Sequence, residues 1–112
     1  MDVTFTAHNI RPDDGTFTKP DQIAIHNHPW FLSAQRLLEI IFPGDKSHYR
    51  IADLGCLEGG YSVEFARMGF QVIGIEVRES NFAACCYVKD RTELTTWNLY
   101  LMMLECCKIW PL

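Results

Sequence analysis

The stretch that decides the fold is Tyr49–Arg91, which reads Y-R-I-A-D-L-G-C-L-E-G-G-Y-S-V-E-F-A-R-M-G-F-Q-V-I-G-I-E-V-R-E-S-N-F-A-A-C-C-Y-V-K-D-R. A short apolar run ends in Asp-Leu-Gly, a glycine pair follows, and an amphipathic segment leads to a second apolar run that ends in an acid. This order is typical of the opening β-α-β unit of an open α/β sheet. It predicts a three-layer α/β arrangement with two adjacent parallel strands, Tyr49–Leu54 and Gln71–Glu76, joined by a right-handed crossover helix.

Length and composition limit the classes of protein that the chain can represent. With 112 residues, 48% hydrophobic and 21% charged, it is one small domain or part of a larger one. A formal net charge of −4 without a basic run disfavours nucleic acid as a partner. The apolar runs resemble neither a signal peptide nor a membrane span, so we expect no membrane association and a cytoplasmic location.

The cysteines and histidines are not spaced like a metal site. Five cysteines are present, two pairs of them adjacent and none in a C-x-x-C arrangement, which disfavours zinc and favours free thiols in the cytoplasm. His26-Asn27-His28 could be a metal-binding hook, but a loop with two solvated imidazoles is the preferred interpretation.

The region before the central unit contains one strong helix signal. Residues 1–28 are polar and turn-rich and predict an irregular lead-in, with a short edge strand at Val3–Thr6. Pro29 suits the first position of a helix that Asn27 or His28 can cap and that Pro43-Gly44 ends. The predicted buried face consists of Trp30, Phe31, Ala34, Leu37, Leu38 and Ile41.

The region after the central unit, residues 92–112, does not read as the third strand that a βαβαβ unit requires. Trp97 to Trp110 is apolar nearly all round, which predicts a helix that is hydrophobic on every side or a disordered tail. A second hypothesis is that the chain is translated in a shifted reading frame from Thr95 onward. When the segment is back-translated and its bases are read in the shifted frame, the resulting sequence has the pattern of a short alternating strand, an acidic turn and a helix start. A genuine hydrophobic C-terminal helix remains the alternative.

The glycine turn and the terminal acid together suggest a ligand site. A turn without side chains lets a ligand approach the amides at the head of a helix. Glu76 lies 21 residues after Gly55, and a carboxylate at that place can accept hydrogen bonds from both hydroxyls of a ribose. The dinucleotide fingerprint G-x-G-x-x-G is broken by Leu57 at its second glycine, which disfavours a nicotinamide or flavin cofactor.

The pattern Asp53-x-Gly55-x-x-x-Gly59 instead resembles motif I of the class I S-adenosylmethionine-dependent methyltransferases, and Glu76 matches their ribose-binding acid. The runs D-L-G-C-L-E-G-G-Y-S-V-E-F-A and G-I-E-V-R-E-S-N-F resemble a bacterial-type small-molecule branch. This resemblance covers residues 29–92 and implies an incomplete Rossmann-like methyltransferase fold: the lead-in helix plus the first βαβα unit.

The resemblance also implies a set of cofactor-binding residues: Asp53, Gly55, Cys56, Gly59, Glu76 and Val77. By position, the glycines shape the turn around the methionine moiety of S-adenosylmethionine, and Asp53 stands near its ammonium group. Glu76 would hold the ribose and Val77 would lie against the adenine. In this family the catalytic groups follow the third and fourth strands, so no catalytic residue is predicted here.

Three functional hypotheses follow. The leading one is the cofactor-binding portion of a methyltransferase, residues 29–91, with a small-molecule acceptor and a chain that is truncated and inactive alone. The first alternative is a non-enzymatic α/β module that docks a partner through its hydrophobic C-terminal tail. The second is part of a nicotinamide-dependent oxidoreductase. In each case an exposed sheet edge and the tail predict self-association.

Overall fold

The described residues form a parallel sheet of three strands, two of which the central stretch predicts. The computed structural model describes residues 3–102. Its elements in chain order are a 3₁₀ turn at Ile25–Asn27, then α1 (Pro29–Ile41), β1 (Arg50–Leu54), α2 (Gly60–Arg67), β2 (Gln71–Glu76), α3 (Glu79–Asp90) and β3 (Trp97–Leu101). The strand order is β1-β2-β3, and both neighbouring pairs are parallel. The prediction of adjacent parallel strands joined through a helix is confirmed.

One face of this sheet carries the core. Ile51, Val72 and Trp97 lie side by side in register on the three strands, and the last two are fully buried. From the helices, Val63, Ala84 and Val88 pack onto the same core. Burial therefore alternates along β2, with every second residue inside, as a strand covered on one face requires.

The opposite face of the sheet is open, which corrects the expectation of a three-layer arrangement. Leu54 of β1 is 73% exposed and Tyr100 of β3 is 55% exposed, and Ala52 of β1 is exposed on the same face. Both crossovers run in the same direction across the sheet, and because each is right-handed, α2 and α3 fall on the same side. Among the described residues no helix covers the second face.

The prediction of a helix or disordered tail from Trp97 is wrong for the part that the structure describes. Trp97–Leu101 is a strand that pairs with β2, and its burial alternates between Trp97 inside and Asn98 outside. An apolar residue on the open face, Tyr100, made the segment look apolar all round in sequence. The hypothesis of a shifted frame rested on a missing third strand, and β3 supplies it. Residues 103–112 lie outside the described residues.

Helix α1 begins and ends where predicted but buries a narrower face than predicted. Its N-cap is His28, whose side chain accepts a hydrogen bond from the amide of Trp30, and Pro29 occupies the first turn. Only Phe31 is buried, where it contacts the Tyr61 and Phe65 rings of α2. Trp30, Leu37 and Ile41 are exposed, since no second layer lies behind them.

The lead-in is irregular, as expected, yet part of it belongs to the core. Val3–Thr6 is not a strand, and an isolated bridge joins Asn9 to Ala24. Ile10 is fully buried, and Arg11 pairs with the buried Glu64 of α2 at 3.2 Å. Within residues 3–102, none of the helices has both the length and the apolar character that a bilayer crossing needs.

Candidate functional site

The glycine-rich loop between β1 and α2 folds back against the end of β2. The amides of Gly55 and Cys56 both donate to the carbonyl of Ile75, at 2.8 and 2.9 Å. The loop then closes with the Gly59 amide on the Cys56 carbonyl at 2.9 Å. Gly55, Leu57 and Gly59 have positive φ angles of 69°, 54° and 90°. Leu57 thus adopts the left-handed conformation that a glycine would take without steric strain.

Glu76 lies at the carboxyl end of β2, where it joins the loop to the start of α3. Its Oε1 accepts from the amide of Leu57 and its Oε2 from the amide of Arg78, each at 2.9 Å. Asn81 adds a longer bond to Oε2 at 3.4 Å. The carboxylate is only 3% exposed, so a ligand hydroxyl would reach it after a local opening of the loop. The structure therefore places Glu76 beside the loop as predicted, but gives it a bonding role within the chain.

Asp53 is the second acid at this edge of the sheet. Its Oδ2 accepts a 2.7 Å hydrogen bond from the hydroxyl of Ser62 in the first turn of α2. The pKa of the neighbouring Tyr61 is raised, first by burial and then by the negative charge of Asp53. Asp53 is half-buried, so it can still interact with a cationic group from outside.

Gly59 has a structural role that the sequence motif does not reveal. A Cβ at this position would lie 2.7 Å from Cη2 of Trp97, the first residue of β3. The indole therefore fills the space beneath the loop. Gly55, in contrast, has open space where its Cβ would be, so it leaves room for a ligand.

The remaining two predicted residues differ in accessibility. Cys56 is buried, with its Sγ 3.7 Å from Sγ of Cys85, so its thiol points into the core. The hydrogen bond with Cys56, followed by burial, raises the pKa of the Cys85 thiol. The Cys85 thiol therefore stays protonated and unreactive. Val77 is exposed at the end of β2, where a planar group can lie against it.

Glu58, between the glycines, holds the N-terminal segment (residues 5–8) against the loop. Its carboxylate accepts from the backbone amides of Thr6, Ala7 and His8 at 2.8, 3.1 and 2.7 Å. The hydroxyl of Thr6 adds a bond at 3.3 Å. Glu58 is 1% exposed, and these amide donors satisfy a carboxylate that has no cationic partner among the described residues.

His8 is fixed at the head of α2 by this arrangement. Its Nδ1 accepts a 3.1 Å hydrogen bond from the amide of Gly60, and its ring contacts Tyr61 edge-on at 5.7 Å. Burial lowers the pKa of His8, opposed by the charges of Glu58 and Asp53. His8 is therefore a neutral imidazole at neutral pH.

A cleft of about 850 Å³ opens between the lead-in and the loop. It is lined by residues of the lead-in and of α1, together with one residue of the loop and one of α2: Ala7, His8, Asp21, Gln22, Ile23, Ile25, His28, Trp30, Leu57 and Tyr61. None of the six predicted cofactor-binding residues lines it. The cleft and the predicted cofactor site are thus neighbours that share the loop.

Comparison with known proteins relates this fold to solved structures. The N-terminal domain of EvdMO1 with SAH (S-adenosylhomocysteine) bound is 30% identical over 67% of this chain, with a TM-score of 0.53. The same domain in the presence of SAH and D-fucose is 30% identical over 70% of the chain, with a TM-score of 0.54. No protein-family model and no curated protein matches the sequence.

A third similar structure, WbdD in a co-crystal with the kinase inhibitor LY294002, supports the fold alone, because it is 20% identical over 78% of this chain with a TM-score of 0.52. The chain spans about a third of the length of the EvdMO1 domain, 31% in the structure with SAH, and 23% of WbdD. The Rossmann-like α/β fold is therefore confirmed.

Sequence reasoning missed Glu58, His8 and His28 as parts of the site. Glu58 could have been identified from the sequence, because an acid inside a glycine-rich turn needs hydrogen-bond donors if the turn is buried. His8 carried none, since its partner Gly60 is 52 residues away. His28 was predicted as one of two possible caps of α1, which the structure confirms, but it is half-buried, so the expectation that it is solvated is wrong.

Proposed function

We propose that this chain binds S-adenosylmethionine at the carboxyl ends of β1 and β2, as the cofactor-binding part of a class I methyltransferase with a small-molecule acceptor. The observation that carries the proposal is the 30% identity, over two thirds of the chain, to a domain crystallised with SAH, the product form of that cofactor. A cytoplasmic location belongs to the same proposal, because the three described cysteines are free thiols.

The local geometry supports this proposal at the loop. Gly55 leaves space above the end of β1, and the half-buried Asp53 stands next to it with an acceptor for an ammonium group. Val77 offers an apolar surface at the end of the neighbouring strand. These groups lie outside the carboxyl ends of parallel strands, where ligands of open α/β sheets bind.

Glu76 is proposed to contact the ribose in the bound state. A carboxylate has about four lone-pair positions, and Glu76 uses three of them on the loop and on α3. A ribose hydroxyl would take the remaining position, or replace the long bond from Asn81. Because the cofactor and the loop would share this carboxylate, binding would be coupled to the local opening of the loop.

For the reaction itself, the protein has to hold the sulfonium methyl in line with the attacking atom of the acceptor. The transferred methyl group comes from the cofactor. The residues of this chain would orient the methionine end through Asp53 and exclude water with the lead-in that covers the loop.

Calorimetric titration of the chain with SAH and, separately, with NAD tests the proposal. We expect heat of binding with SAH only, and a Glu76→Ala variant that binds SAH more weakly by about 1–3 kcal/mol, the scale for a charged hydrogen-bond acceptor. The matched control is Glu93→Ala, an exposed acid far along the chain. Silence for SAH, or equal binding by the Glu76 variant, would contradict the cofactor site or the role of Glu76 respectively.

A second candidate function, a module that docks a partner, is favoured by one observation: the open face of the sheet with Leu54 and Tyr100. The proposed route for self-association is this face together with the free edge of β1, while the C-terminal tail lies outside the described residues. A chain that is silent for SAH and forms a stable complex with itself or another protein would favour the module.

A further inference from the structure

Two histidines that line the cleft are held in the same way at the starts of two helices. His8 accepts from the amide of Gly60 at the head of α2, and His28 accepts from the amide of Trp30 at the head of α1. In both cases the accepting atom is Nδ1, at 3.1 and 3.2 Å respectively. His8 is 7% exposed, and within residues 3–102 its Nε2 has no hydrogen-bond partner.

This bonding determines which nitrogen carries the proton. A neutral imidazole has one donor and one acceptor nitrogen, and an Nδ1 that accepts from an amide must be the acceptor. The proton of each ring is therefore on Nε2. Both residues line the cleft and, among the described residues, have Nε2–H as their free donor, and neither can take up a proton on Nδ1 without losing its bond to the helix.

The other side chains that line the cleft indicate which kind of ligand it can bind. Among the lining residues that the structure describes there is no lysine or arginine, while Asp21 contributes a carboxylate that is paired with Lys19 at the rim. Trp30 presents its indole to the solvent, with 76% of the residue exposed. Because the described lining of the cleft includes no lysine or arginine and its one acid is already paired, it offers an anionic ligand no unpaired opposite charge.

We propose that this cleft binds a neutral, hydroxyl-bearing ring of the carbohydrate type. His8 and His28 donate from Nε2 to its hydroxyl oxygens, the carboxylate of Asp21 accepts from its hydroxyl groups, and the indole of Trp30 packs against its apolar face. The cleft adjoins the loop at Leu57, so the ring would lie next to the cofactor. A role of the ring as the methyl acceptor rests on the proposed function. The binding of the ring in the cleft does not.

Nuclear magnetic resonance of the full chain tests both the donors and the ligand class. Two-bond proton–nitrogen spectra of the histidines should show the Nε2–H form for His8 and His28. The probes are D-fucose as the neutral ring, D-glucuronate as a ring with a carboxylate, and glucose 6-phosphate as a dianion. D-fucose at millimolar concentration should shift the Trp30 indole signal and both histidine signals, and the two anions should shift them less.

Matched variants separate a binding role from a structural one. His8→Asn and His28→Asn keep an acceptor near the position of Nδ1 but remove the Nε2 donor. Each should weaken D-fucose binding by about 2- to 10-fold, the scale of one neutral hydrogen bond, with the fold of the sheet unchanged. His48→Asn, at an exposed loop position, is the control and should bind as the parent chain does.

Three results would overturn the inference: an Nδ1–H form of His8, stronger shifts with the anions than with D-fucose, or no shift with D-fucose at about 100 mM, a concentration that detects even very weak binding. Titration of SAH into the same samples keeps the two proposals apart. Binding of D-fucose with silence for SAH would refute the cofactor site alone. Binding of SAH without any effect of D-fucose would refute the carbohydrate site alone.

Discussion

Replacement of Gly59 by alanine tests how the loop is packed. Gly59 has a φ of 90°, and an added Cβ would lie 2.7 and 2.8 Å from two carbons of the buried Trp97 ring. The ring lies between the loop and the sheet, so neither partner can move away without displacing the start of β3. Gly59→Ala therefore combines backbone strain with steric overlap.

The expected loss of stability is the sum of these two contributions. A left-handed conformation costs a residue with a Cβ about 1–2 kcal/mol. An extra methyl group in a filled core costs about 1–3 kcal/mol. Together they predict a loss of about 2–5 kcal/mol, a large share of the roughly 5–15 kcal/mol by which a domain is stable.

Urea unfolding of the purified chain measures this loss. Gly44→Ala is the matched control, because Gly44 also has a positive φ, 78°, but open space around its Cβ position. It should show the strain alone, about 1–2 kcal/mol. If Gly59→Ala loses no more stability than Gly44→Ala, the overlap with Trp97 is not a real constraint and the reasoning is wrong.

A double-mutant cycle isolates the contact itself. Trp97→Phe removes the outer ring of the indole, so in that background Gly59→Ala should cost only the strain, which gives a coupling of about 1–3 kcal/mol between the two positions. Independent, additive effects would show that the loop and β3 do not constrain each other.

Three further predictions concern the lead-in and the open sheet face. Glu58→Gln should destabilise the chain by about 1–3 kcal/mol, because a single amide oxygen cannot accept from all the amides of residues 6–8; hydrogen exchange should show those amides less protected, and unchanged protection would contradict the assigned contacts. Because burial lowers the pKa of His8 in the folded state, its neutral form stabilises the fold above the ordinary value of 6.5, and this contribution is lost as the pH falls toward the folded pKa. Urea unfolding of the parent chain should thus weaken more between pH 7 and pH 5 than that of His8→Asn, and parallel pH profiles would refute this. Light scattering after size exclusion should show concentration-dependent association that Leu54→Lys reduces, whereas a parent chain that is monomeric at every concentration would count against the open face as an interface.

The central unit was predictable because its signals are local. The period of the apolar residues, the glycines and the acid at the end of β2 lie within 30 residues of one another and agree on one structure. The pattern put Gly55 in the turn after β1 and Glu76 at the end of β2, and the structure has both residues there. What the pattern did not reveal was that Glu76 binds the loop itself, since the donors are backbone amides that any residue would supply.

The parts that were not predictable depend on contacts between distant segments. Trp97–Leu101 looked helical because Tyr100 is apolar although it lies on the open face. The alternation of apolar and polar residues that marks a strand is therefore not visible in this segment. The buried face of α1 was predicted too broadly, because a sequence pattern cannot show that one layer is missing. The cleft is formed when the lead-in meets residues about 50 positions later, as in the contact of His8 with Glu58.

The contact of Glu58 with the N-terminal segment has a consequence for how this sequence can evolve. The carboxylate recognises main-chain amides, with one hydroxyl as an addition, so it depends little on which side chains occupy positions 6 and 7. Those positions are free to vary as long as the number of residues is kept and none becomes proline, which has no amide hydrogen to donate. Selection would then act on the acid and on segment length, and related chains could keep the same wall of the cleft with little sequence similarity there.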